Sequence, residues 1–421
     1  MSTARYLIGD VFDRLAEIPD GSVDLVLTSP PFLALRSYLP ADHPDKGKEI
    51  GSEPTPAAFL DTLLALSAEW RRVLAPHGSI CVELGDTYAG NGGTGGVDEG
   101  ARRLPSTDRQ ALMLETHVDR DANGKYEGSR LQDRRRASTN GNRNRDNAPG
   151  WPLDKSMCGI PHLYHLSLAY GRNLLTGEPS PAGQWRIRNV IAWCRPNPPV
   201  GALGDKFRPA TSYMTVATIA RNRWFDLDAV RTEAQDMRPR NTNGPKSNAA
   251  SAEIQTKYDT RIGSNPAGAP PLDWWEIPTE PYSGSHYATF PKALLTRPIL
   301  AMCPEKVCQV CGEPSRRIVE CEGVGVSGRG LATSRLLGGG RKDGTAGWER
   351  TQTTTLGWTD CGCSTDGTHW RRGHVLDPFG GSGTTAAVAT GMGRDCTLID
   401  IDARNADLAR ERVGMFLEVT E

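Results

Sequence analysis

The chain has 421 residues, a formal net charge of -1 and 38% hydrophobic residues. These values suit one large α/β domain with insertions, or two domains, of a soluble enzyme. No apolar run reaches the roughly 18 residues of a membrane span, and the N-terminus lacks a secretion signal, so we expect a cytoplasmic protein with no membrane partner. The near-neutral charge excludes a globally basic nucleic-acid-binding protein and leaves any DNA contact to local basic patches.

The first 88 residues alternate short apolar runs with helical patterns, and this alternation is typical of a parallel α/β sheet. In the longer helical pattern Thr55 is a candidate N-cap, Pro56 takes the first helical position, and apolar residues recur at helical spacing. Strands are predicted over residues 5–9, 22–27 and 78–86, and helices over 11–18 and 55–74.

The second apolar run ends in the sequence TSPPF, residues 28–32. Two consecutive prolines cannot donate hydrogen bonds to a sheet ladder, so the strand must end there. A serine, two rigid residues and an aromatic ring at the end of a core strand indicate a loop with a function beyond turning the chain. A proline-terminated strand without chemistry is the alternative.

The composition changes after residue 88. Residues 89–183 are dense in glycine, asparagine and arginine and form a predicted polar, basic insertion, which is either a solvated segment or a DNA-contacting one. Two β-rich runs within 184–231 continue the predicted sheet. Residues 232–285 are again polar and are a candidate target-recognition segment.

A second informative pattern lies near the C-terminus. A short strand over 374–376 leads into the glycine-rich turn DPFGGSG, a small-residue helix and another strand that ends at Asp400. Glycines let the backbone approach a ligand closely, and an acid after the next strand suits a pair of ribose hydroxyls. The turn lacks the G-x-G-x-x-G spacing of dinucleotide sites, so the pattern predicts a nucleoside pocket. A continuous open sheet would bring this turn beside TSPPF, because ligands bind at the carboxyl ends of its strands.

These motifs, in this order, resemble the S-adenosylmethionine-dependent DNA amino-methyltransferases of the permuted β class. TSPPF is similar to that family's S/D/N-P-P-aromatic loop, DPFGGSGTT to its cofactor motif, and HYATFP to its H-x-A-x-F-P segment. The resemblance implies an α/β, Rossmann-like methyltransferase sheet in circularly permuted motif order. Its catalytic half would be residues 1–88, its cofactor-proximal segment 286–302 and its S-adenosylmethionine-binding half 373–421.

The resemblance implies roles for the loop residues. Ser29 and the Pro30 carbonyl would accept the hydrogens of an exocyclic base amine, Pro31 would stiffen the loop, and Phe32 would stack on a base flipped out of the duplex. Serine at the first loop position is associated in this family mainly with cytosine targets, so the expected product is N4-methylcytosine. N6-methyladenine is the alternative.

The resemblance also implies an S-adenosylmethionine site. Asp400 would take the ribose hydroxyls, and Asp10 would face the adenine amino group, which is compatible with a second role as the cap of the following helix. The other implied cofactor-binding residues are Phe290, Pro291, Asp377, Phe379, Gly380, Gly381, Ser382, Gly383 and Thr384.

A separate cysteine pattern occupies residues 303–372, a predicted insertion. Cys308 and Cys311 form a C-x-x-C pair followed by glycine, and Cys361 and Cys363 form a C-x-C pair. The four thiols predict a structural zinc site. Cys303 and Cys321 are alternative ligands, and a set of unrelated thiols is the alternative interpretation.

The candidate partners are double-stranded DNA, a cognate restriction endonuclease and a second copy of the chain. A nucleotide-dependent oxidoreductase, which would bind NAD and not S-adenosylmethionine, is a second function class. A catalytically inactive, zinc-stabilised DNA-binding module is a third. No cysteine in the chain follows a proline, which disfavours C5-cytosine methylation.

Overall fold

The computed structural model describes residues 2–35, 37–40, 42–89, 149–198, 206–232, 268–280, 291–324, 350–364 and 366–420. The chain divides into two units. The first, called here the sheet unit, comprises Met1–Arg223, Asp273–Thr296 and His374–Glu421. The second, the cysteine unit, comprises Trp224–Leu272 and Arg297–Gly373.

The described residues form thirteen strands and six α-helices. The strands are β1 (Ala4–Ile8), β2 (Val23–Thr28), β3 (Leu74–Leu84), β4 (Arg186–Cys194), β5 (Thr211–Thr218), β6 (Trp274–Glu276), β7 (Lys306–Cys308), β8 (Arg317–Val324), β9 (Arg350–Trp358), β10 (Trp370–Arg372), β11 (His374–Asp377), β12 (Asp395–Asp400) and β13 (Leu417–Thr420). The helices are α1 (Val11–Ala16), α2 (Pro56–Val73), α3 (Ile160–Tyr170), α4 (Lys292–Met302), α5 (Thr384–Gly391) and α6 (Arg404–Val413).

Nine strands of the sheet unit form one sheet in the order β13-β1-β12-β11-β2-β3-β5-β4-β6. Strand β5 is antiparallel to both of its neighbours, and every other pair in this sheet is parallel. The predicted α/β class and parallel alternation are therefore confirmed, and β5 is the exception. The carboxyl ends of β12, β11, β2, β3 and β4 consequently meet along one edge of the sheet.

The long helix α2 begins and packs as its sequence predicts. The Thr55 side chain accepts a hydrogen bond from the backbone N–H of Ala58, and Pro56 lies in the first turn. The residues at helical spacing, Phe59, Leu63, Leu66, Trp70 and Val73, are all buried. Burial of this stripe stabilises the helix far more than its intrinsic propensity does.

The predicted polar, basic insertion, residues 89–183, contains a helix with a buried apolar side in its second part. Residues 90–148 lie outside the described residues, but α3 begins at Ile160 and buries Ile160, Tyr164 and Leu168 at helical spacing. The Tyr164 hydroxyl shares a hydrogen bond of 2.8 Å with the Ser67 hydroxyl of α2. This helix was not predicted, because the sequence that flanks its regularly spaced apolar residues is polar.

Residues 233–267 and 281–285 of the predicted recognition segment, 232–285, lie outside the described residues. Of its described part, residues 268–272 belong to the cysteine unit, whereas β6, a strand that was not predicted, pairs with β4 at the edge of the main sheet. Strand β13 was not predicted either, and it extends the opposite edge beside β1. In the cysteine unit, β7 pairs with β10, and β8 pairs with β9, both antiparallel.

No helix in the described parts of the chain has the length and apolar content to cross a membrane.

A buried carboxylate joins the three central strands of the sheet. Asp24 on β2 is fully buried, and its Oδ1 lies 2.8 Å from His77 Nε2 on β3. Its Oδ2 accepts a hydrogen bond of 2.7 Å from the backbone N–H of His374, the first residue of β11. Because a buried carboxylate is costly unless it is fully hydrogen-bonded, these contacts hold β2, β3 and β11 in one register.

Asp24→Ala should therefore lower the free energy of unfolding by about 3 to 5 kcal/mol, since it leaves buried donors without their acceptor. Urea denaturation followed by circular dichroism measures this. The control is Asp20→Ala, which removes a mostly exposed partner of Arg72 and should cost at most about 1 kcal/mol. Equal losses in the two variants would contradict the assignment.

Candidate active site

A cavity of about 480 Å³ opens at the carboxyl edge of the sheet unit. The turn after β11 and the end of β12 form one wall, and TSPPF with the end of β3 forms the next. The end of β4 and residues 279–280 form the far wall. The two motifs that sequence reasoning placed side by side therefore share one cavity, whose volume is typical of a site for a small organic ligand.

The glycine turn approaches β12 closely. The backbone N–H of Gly380 donates to the Ile399 carbonyl at 2.8 Å, and a Cβ on Gly380 would lie 2.7 Å from Leu398 Cβ. The buried Tyr6 hydroxyl on β1 donates to the Gly381 carbonyl at 2.9 Å. A side chain at Gly380 would push the turn off the strand, so glycine is required there.

Asp400 ends β12 at the cavity wall. Its Oδ2 accepts a hydrogen bond from the Gly381 N–H at 2.8 Å, and its Oδ1 accepts bonds from Asp402 N–H at 2.8 Å and Asn405 Nδ2 at 3.2 Å. Burial raises the pKa of Asp400 to about 6, against the opposing effect of these donors. A carboxylate offers about four lone-pair positions, so acceptor capacity remains for a ligand.

Asp377 connects the two halves of the site. Its Oδ1 accepts a hydrogen bond of 2.6 Å from the Thr28 hydroxyl, and its Oδ2 accepts one of 2.6 Å from the Thr385 hydroxyl. The Phe379 N–H adds a third contact at 3.2 Å. Burial raises the pKa of Asp377, and the two threonine hydroxyls oppose the rise. Its oxygens are thus mainly engaged in holding the end of β2 against the start of α5.

Ser29 is paired with an acid that sequence reasoning missed. The Ser29 hydroxyl donates to Glu83 Oε2 on β3 at 2.6 Å. Glu83 is 3% exposed, and its Oε1 has no hydrogen-bond partner among the described residues. Burial raises the pKa of Glu83, and the nearby Ser212 hydroxyl, the hydrogen bond from Ser29 and the charge of Arg195 oppose the rise. The available signal was a single acid within the apolar run ICVEL.

Phe32 lies against a glycine. A Cβ on Gly85 would be 2.5 Å from Phe32 Cε2 and 3.0 Å from its Cδ2. Because Gly85 has no side chain, the Phe32 ring can occupy this space at the cavity wall.

Asp10 caps α1, and this is one of the two roles predicted for it. Its Oδ1 accepts hydrogen bonds from the Phe12 N–H at 2.9 Å and the Asp13 N–H at 3.3 Å. Asp10 also lines the cavity beside Gly9, at the end of β1. The cap therefore places this carboxyl group on the wall of the cavity.

Most of the predicted site residues meet at the cavity. Three predicted residues are not part of the cavity wall. Phe290 lies outside the described residues, and Pro291 is buried but does not line the cavity. Gly383 has a φ of 77° and lies against Ala409 of α6. The predicted site residues that line the cavity are Asp10, Ser29, Pro30, Pro31, Phe32, Asp377, Phe379, Gly380, Gly381, Ser382, Thr384 and Asp400.

The wall also carries polar atoms that the protein leaves unpaired. The Ser382 hydroxyl is buried and has no hydrogen-bond partner within the described part of the chain. Buried polar atoms are ordinarily paired, so Ser382 Oγ fits a site that a polar ligand completes. The far wall includes Trp193, Arg195 and Glu280, for which the sequence predicted no individual role.

The four predicted metal ligands converge in the cysteine unit. The Sγ atoms of Cys308, Cys311, Cys361 and Cys363 lie within 4.8 Å of one another. The N–H groups of Val310 and Cys311 point to Cys308 Sγ at 3.3 and 3.4 Å. Burial raises the pKa of the Cys308 thiol, but these N–H groups, together with the side chains of Cys361 and Cys311, lower it to about 6. Four converging thiols with one favoured thiolate fit a tetrahedral zinc ion.

The alternative cysteine ligands are not in this cluster. Cys303 is buried elsewhere, and the side chain of Cys321 lies outside the described residues. A second group, Asp360, Cys361 and His369, also brings three ligand atoms within 4.8 Å, and it shares Cys361 with the four-cysteine cluster.

Residues 23–308 and 367–411 match the sequence profile of a DNA methylase family, N6_N4_Mtase. The chain belongs to this DNA methylase family. Family membership confirms the resemblance in the sequence motifs and favours a methyltransferase over an oxidoreductase. It covers both adenine-N6 and cytosine-N4 enzymes, as its name states.

Individual relatives agree with the family. The chain is 22% identical to "Type II methyltransferase M.SmaI" of Serratia marcescens over 98% of this chain and 91% of that protein. It is 24% identical to "Type II methyltransferase M.Cfr9I" of Citrobacter freundii over 72% of this chain and 73% of that protein.

Solved structures of DNA methyltransferases align along the chain at low similarity. The PvuII DNA methyltransferase (cytosine-N4-specific) has 12% identity and a TM-score of 0.45, covering 98% of this chain and 86% of that chain. The M1.HpyAVI-SAM complex has 10% identity and a TM-score of 0.37, covering 98% and 100%.

Gly85→Ala should displace the Phe32 ring, because the new Cβ would overlap it. We expect a fall in the DNA methylation rate of about 100-fold, the scale on which a misplacement of about 1 Å acts. The control is Gly391→Ala, whose Cβ meets no atom within 4 Å. A tritium-transfer assay that finds Gly85→Ala fully active would show that the position of the ring does not matter.

Proposed function

We propose that this DNA methylase transfers a methyl group from S-adenosylmethionine to the exocyclic N4 of cytosine in a base flipped out of double-stranded DNA. The observation that carries the proposal is the 2.6 Å hydrogen bond from Ser29 to the buried Glu83 at the cavity wall. Because the Ser29 hydroxyl donates to Glu83, the lone pairs of Ser29 Oγ are available to a hydrogen of an amine. The Glu83 carboxylate would then accept the proton that methylation releases.

The residues at the glycine turn fit the cofactor. Asp400 would accept hydrogen bonds from the ribose hydroxyls, and the unpaired Ser382 hydroxyl would bind a polar group of the methionine part. Asp10 would face the adenine amino group with the part of its carboxylate that the helix cap leaves open. When bound, S-adenosylmethionine supplies an electrophilic methyl group.

Ser29 and the Pro30 carbonyl would orient the amine. The hydrogen of the Ser29 hydroxyl points to Glu83, so its lone pairs are available to a hydrogen of the base amine. The Pro30 carbonyl would accept the second hydrogen. The lone pair of an exocyclic amine is delocalised into the ring, and acceptors around the amine favour the pyramidal form in which that lone pair can attack.

Glu83 would receive the proton that methylation releases. As the N–CH3 bond forms and the S–CH3 bond breaks, the amine nitrogen becomes positively charged. A hydrogen then passes to Ser29 Oγ, and the hydroxyl hydrogen passes to Glu83 Oε2. Burial raises the pKa of Glu83, and a carboxylate with a raised pKa is a better proton acceptor near neutral pH.

Serine at position 29 supports cytosine as the target base, because in the DNA amino-methyltransferases serine there is associated mainly with cytosine. The names of the relatives as type II methyltransferases support a site-specific enzyme with a cognate restriction endonuclease. Assembly as a homodimer stays a prediction.

The product of the reaction tests the function directly. Plasmid DNA from cells that express the chain is digested to nucleosides and examined by mass spectrometry. We expect N4-methyl-2′-deoxycytidine. N6-methyl-2′-deoxyadenosine as the sole product would refute cytosine as the target, and unmodified DNA would refute the enzyme activity.

Ser29→Ala and Glu83→Gln should each lower kcat by about 100- to 10,000-fold, the usual contribution of a positioned proton acceptor. Cofactor affinity should change little, because neither residue belongs to the glycine turn. The control is Glu69→Gln on α2, whose carboxylate pairs with Arg72 away from the cavity. Single-turnover methylation and calorimetry separate the two effects, and unchanged kcat in Glu83→Gln would exclude the proton transfer.

Asp400→Ala should weaken S-adenosylmethionine binding by about 1.5 to 3 kcal/mol, through loss of hydrogen bonds to a charged acceptor. In the wild type the ionised carboxylate is the better acceptor and its pKa is about 6, so affinity should fall as the pH drops below that value. Calorimetry from pH 5 to 8 measures both effects. Asp407→Asn, on the exposed side of α6, should keep the wild-type pH profile, and a flat wild-type profile would contradict the role of Asp400.

We further propose one structural zinc ion per chain, held by Cys308, Cys311, Cys361 and Cys363. Four thiolates leave no open coordination position, so the ion would stabilise the cysteine unit without taking part in catalysis. Cys311→Ser should lose the ion, and Cys194→Ser, a half-buried thiol of the sheet unit, should retain it. Elemental analysis of protein purified without chelators measures this, and a wild-type protein without zinc would refute the site.

A further inference from the structure

The end of β4 contributes to the far wall of the cavity, and β3 and β5 separate it from β2, the strand that leads to Ser29. Glu83 on β3 lies opposite Met214 on β5, and Met214 lies opposite Ile191 on β4. Side chains alternate along a strand, so Trp193 and Arg195, two and four residues after Ile191, point to the same face as Glu83. Both residues line the cavity.

Two backbone carbonyls and an aromatic ring hold Arg195 in place. Its Nη2 donates to the Thr211 carbonyl at 3.1 Å and its Nε to the Ala210 carbonyl at 3.4 Å. Its Cζ lies 5.2 Å from the centroid of the Trp193 ring, and that ring is itself anchored by a 2.8 Å bond from Nε1 to the Ile277 carbonyl. Among the described residues no carboxylate lies within ion-pair distance of Arg195, but its charge lowers the pKa of the buried Glu83 at the same cavity.

The guanidinium retains free hydrogen-bond donors. It carries five N–H groups, of which the two carbonyls occupy two, and it cannot lose its charge. The remaining three N–H groups have no hydrogen-bond partner among the described residues, and Arg195 lines the cavity that also holds Ser29 and Glu83. A fixed, charged, planar donor suits a ligand with adjacent acceptor atoms.

We propose that Arg195 is a specificity-determining residue that donates hydrogen bonds to N3 and O2 of the flipped target cytosine. The inference rests on the proposed function, which places the exocyclic amine at Ser29. On the cytosine edge that continues from the amine, N3 and then O2 are both acceptors. Adenine offers the acceptor N1 and then a C–H group, which would leave part of the guanidinium without a partner in the cavity.

The test compares two bases at one position. The methylated sequence is first located by sequencing plasmid DNA from cells that express the chain. Two duplexes are then made, with cytosine or adenine at the target position, and kcat/KM is measured for each. Arg195→Met removes the donors and keeps the length of the side chain. Arg188→Met, on the same strand but not at the cavity, is the matched control.

Arg195→Met should lower kcat/KM for cytosine by about 10- to 100-fold, the usual effect of losing hydrogen bonds to a charged group. The cytosine-to-adenine ratio should fall with it, while S-adenosylmethionine affinity stays at the wild-type value and shows that the variant is folded. Arg188→Met should leave the ratio unchanged. Should Arg195→Met fail to bind the cofactor, Arg195→Lys, which keeps the charge and lacks the planar fork, should still lower the ratio.

Two results would overturn the inference. An unchanged ratio in a folded Arg195 variant would exclude base recognition. A uniform loss of DNA affinity, with the salt dependence reduced by about one charge, would identify Arg195 as a phosphate contact instead. Failure of the proposed function is distinguishable, because the wild type itself would then methylate adenine, or nothing, at its native sequence.

Discussion

The site depends on one buried carboxylate. Asp377 accepts hydrogen bonds from Thr28 and Thr385, and the pair Thr28 and Asp377 is separated by 349 positions in the sequence. Taking a carboxylate out of water is costly unless its lone pairs are used, so these bonds hold the end of β2 to the end of β11. The loop that follows β2 and the glycine turn that follows β11 therefore open into the same cavity.

Burial gives the acids along this edge distinct properties. Asp377 is engaged by hydroxyl groups and serves as a clamp, whereas Asp400 receives backbone N–H donors and keeps capacity for a ligand. Glu83 accepts a hydrogen bond from the Ser29 hydroxyl on Oε2, and its Oε1 has no hydrogen-bond partner in the described part of the chain. The three carboxyl groups thus differ in how many lone pairs remain free. In our proposal Asp377 positions the two halves of the site, Asp400 binds the ligand and Glu83 accepts the proton.

Sequence predicted the parts of the fold and site that are local. TSPPF, the glycine turn and α2 carry their signal within a few residues, because proline, glycine and helical spacing act on the adjacent backbone. Glu83 and Arg195 join the cavity only through the pairing of β3, β5 and β4, which no local pattern encodes. Helix α3 could have been found from the spacing of Ile160, Tyr164 and Leu168, but the surrounding polar composition outweighed that signal.

A crystal structure of the chain grown with S-adenosylmethionine tests most directly whether the two distant motifs form one site. The account predicts density in this cavity, with the ribose beside Asp400 and the sulfonium methyl directed toward Ser29. Density at another place in the sheet unit, or a methyl group directed away from the TSPPF loop, would contradict it.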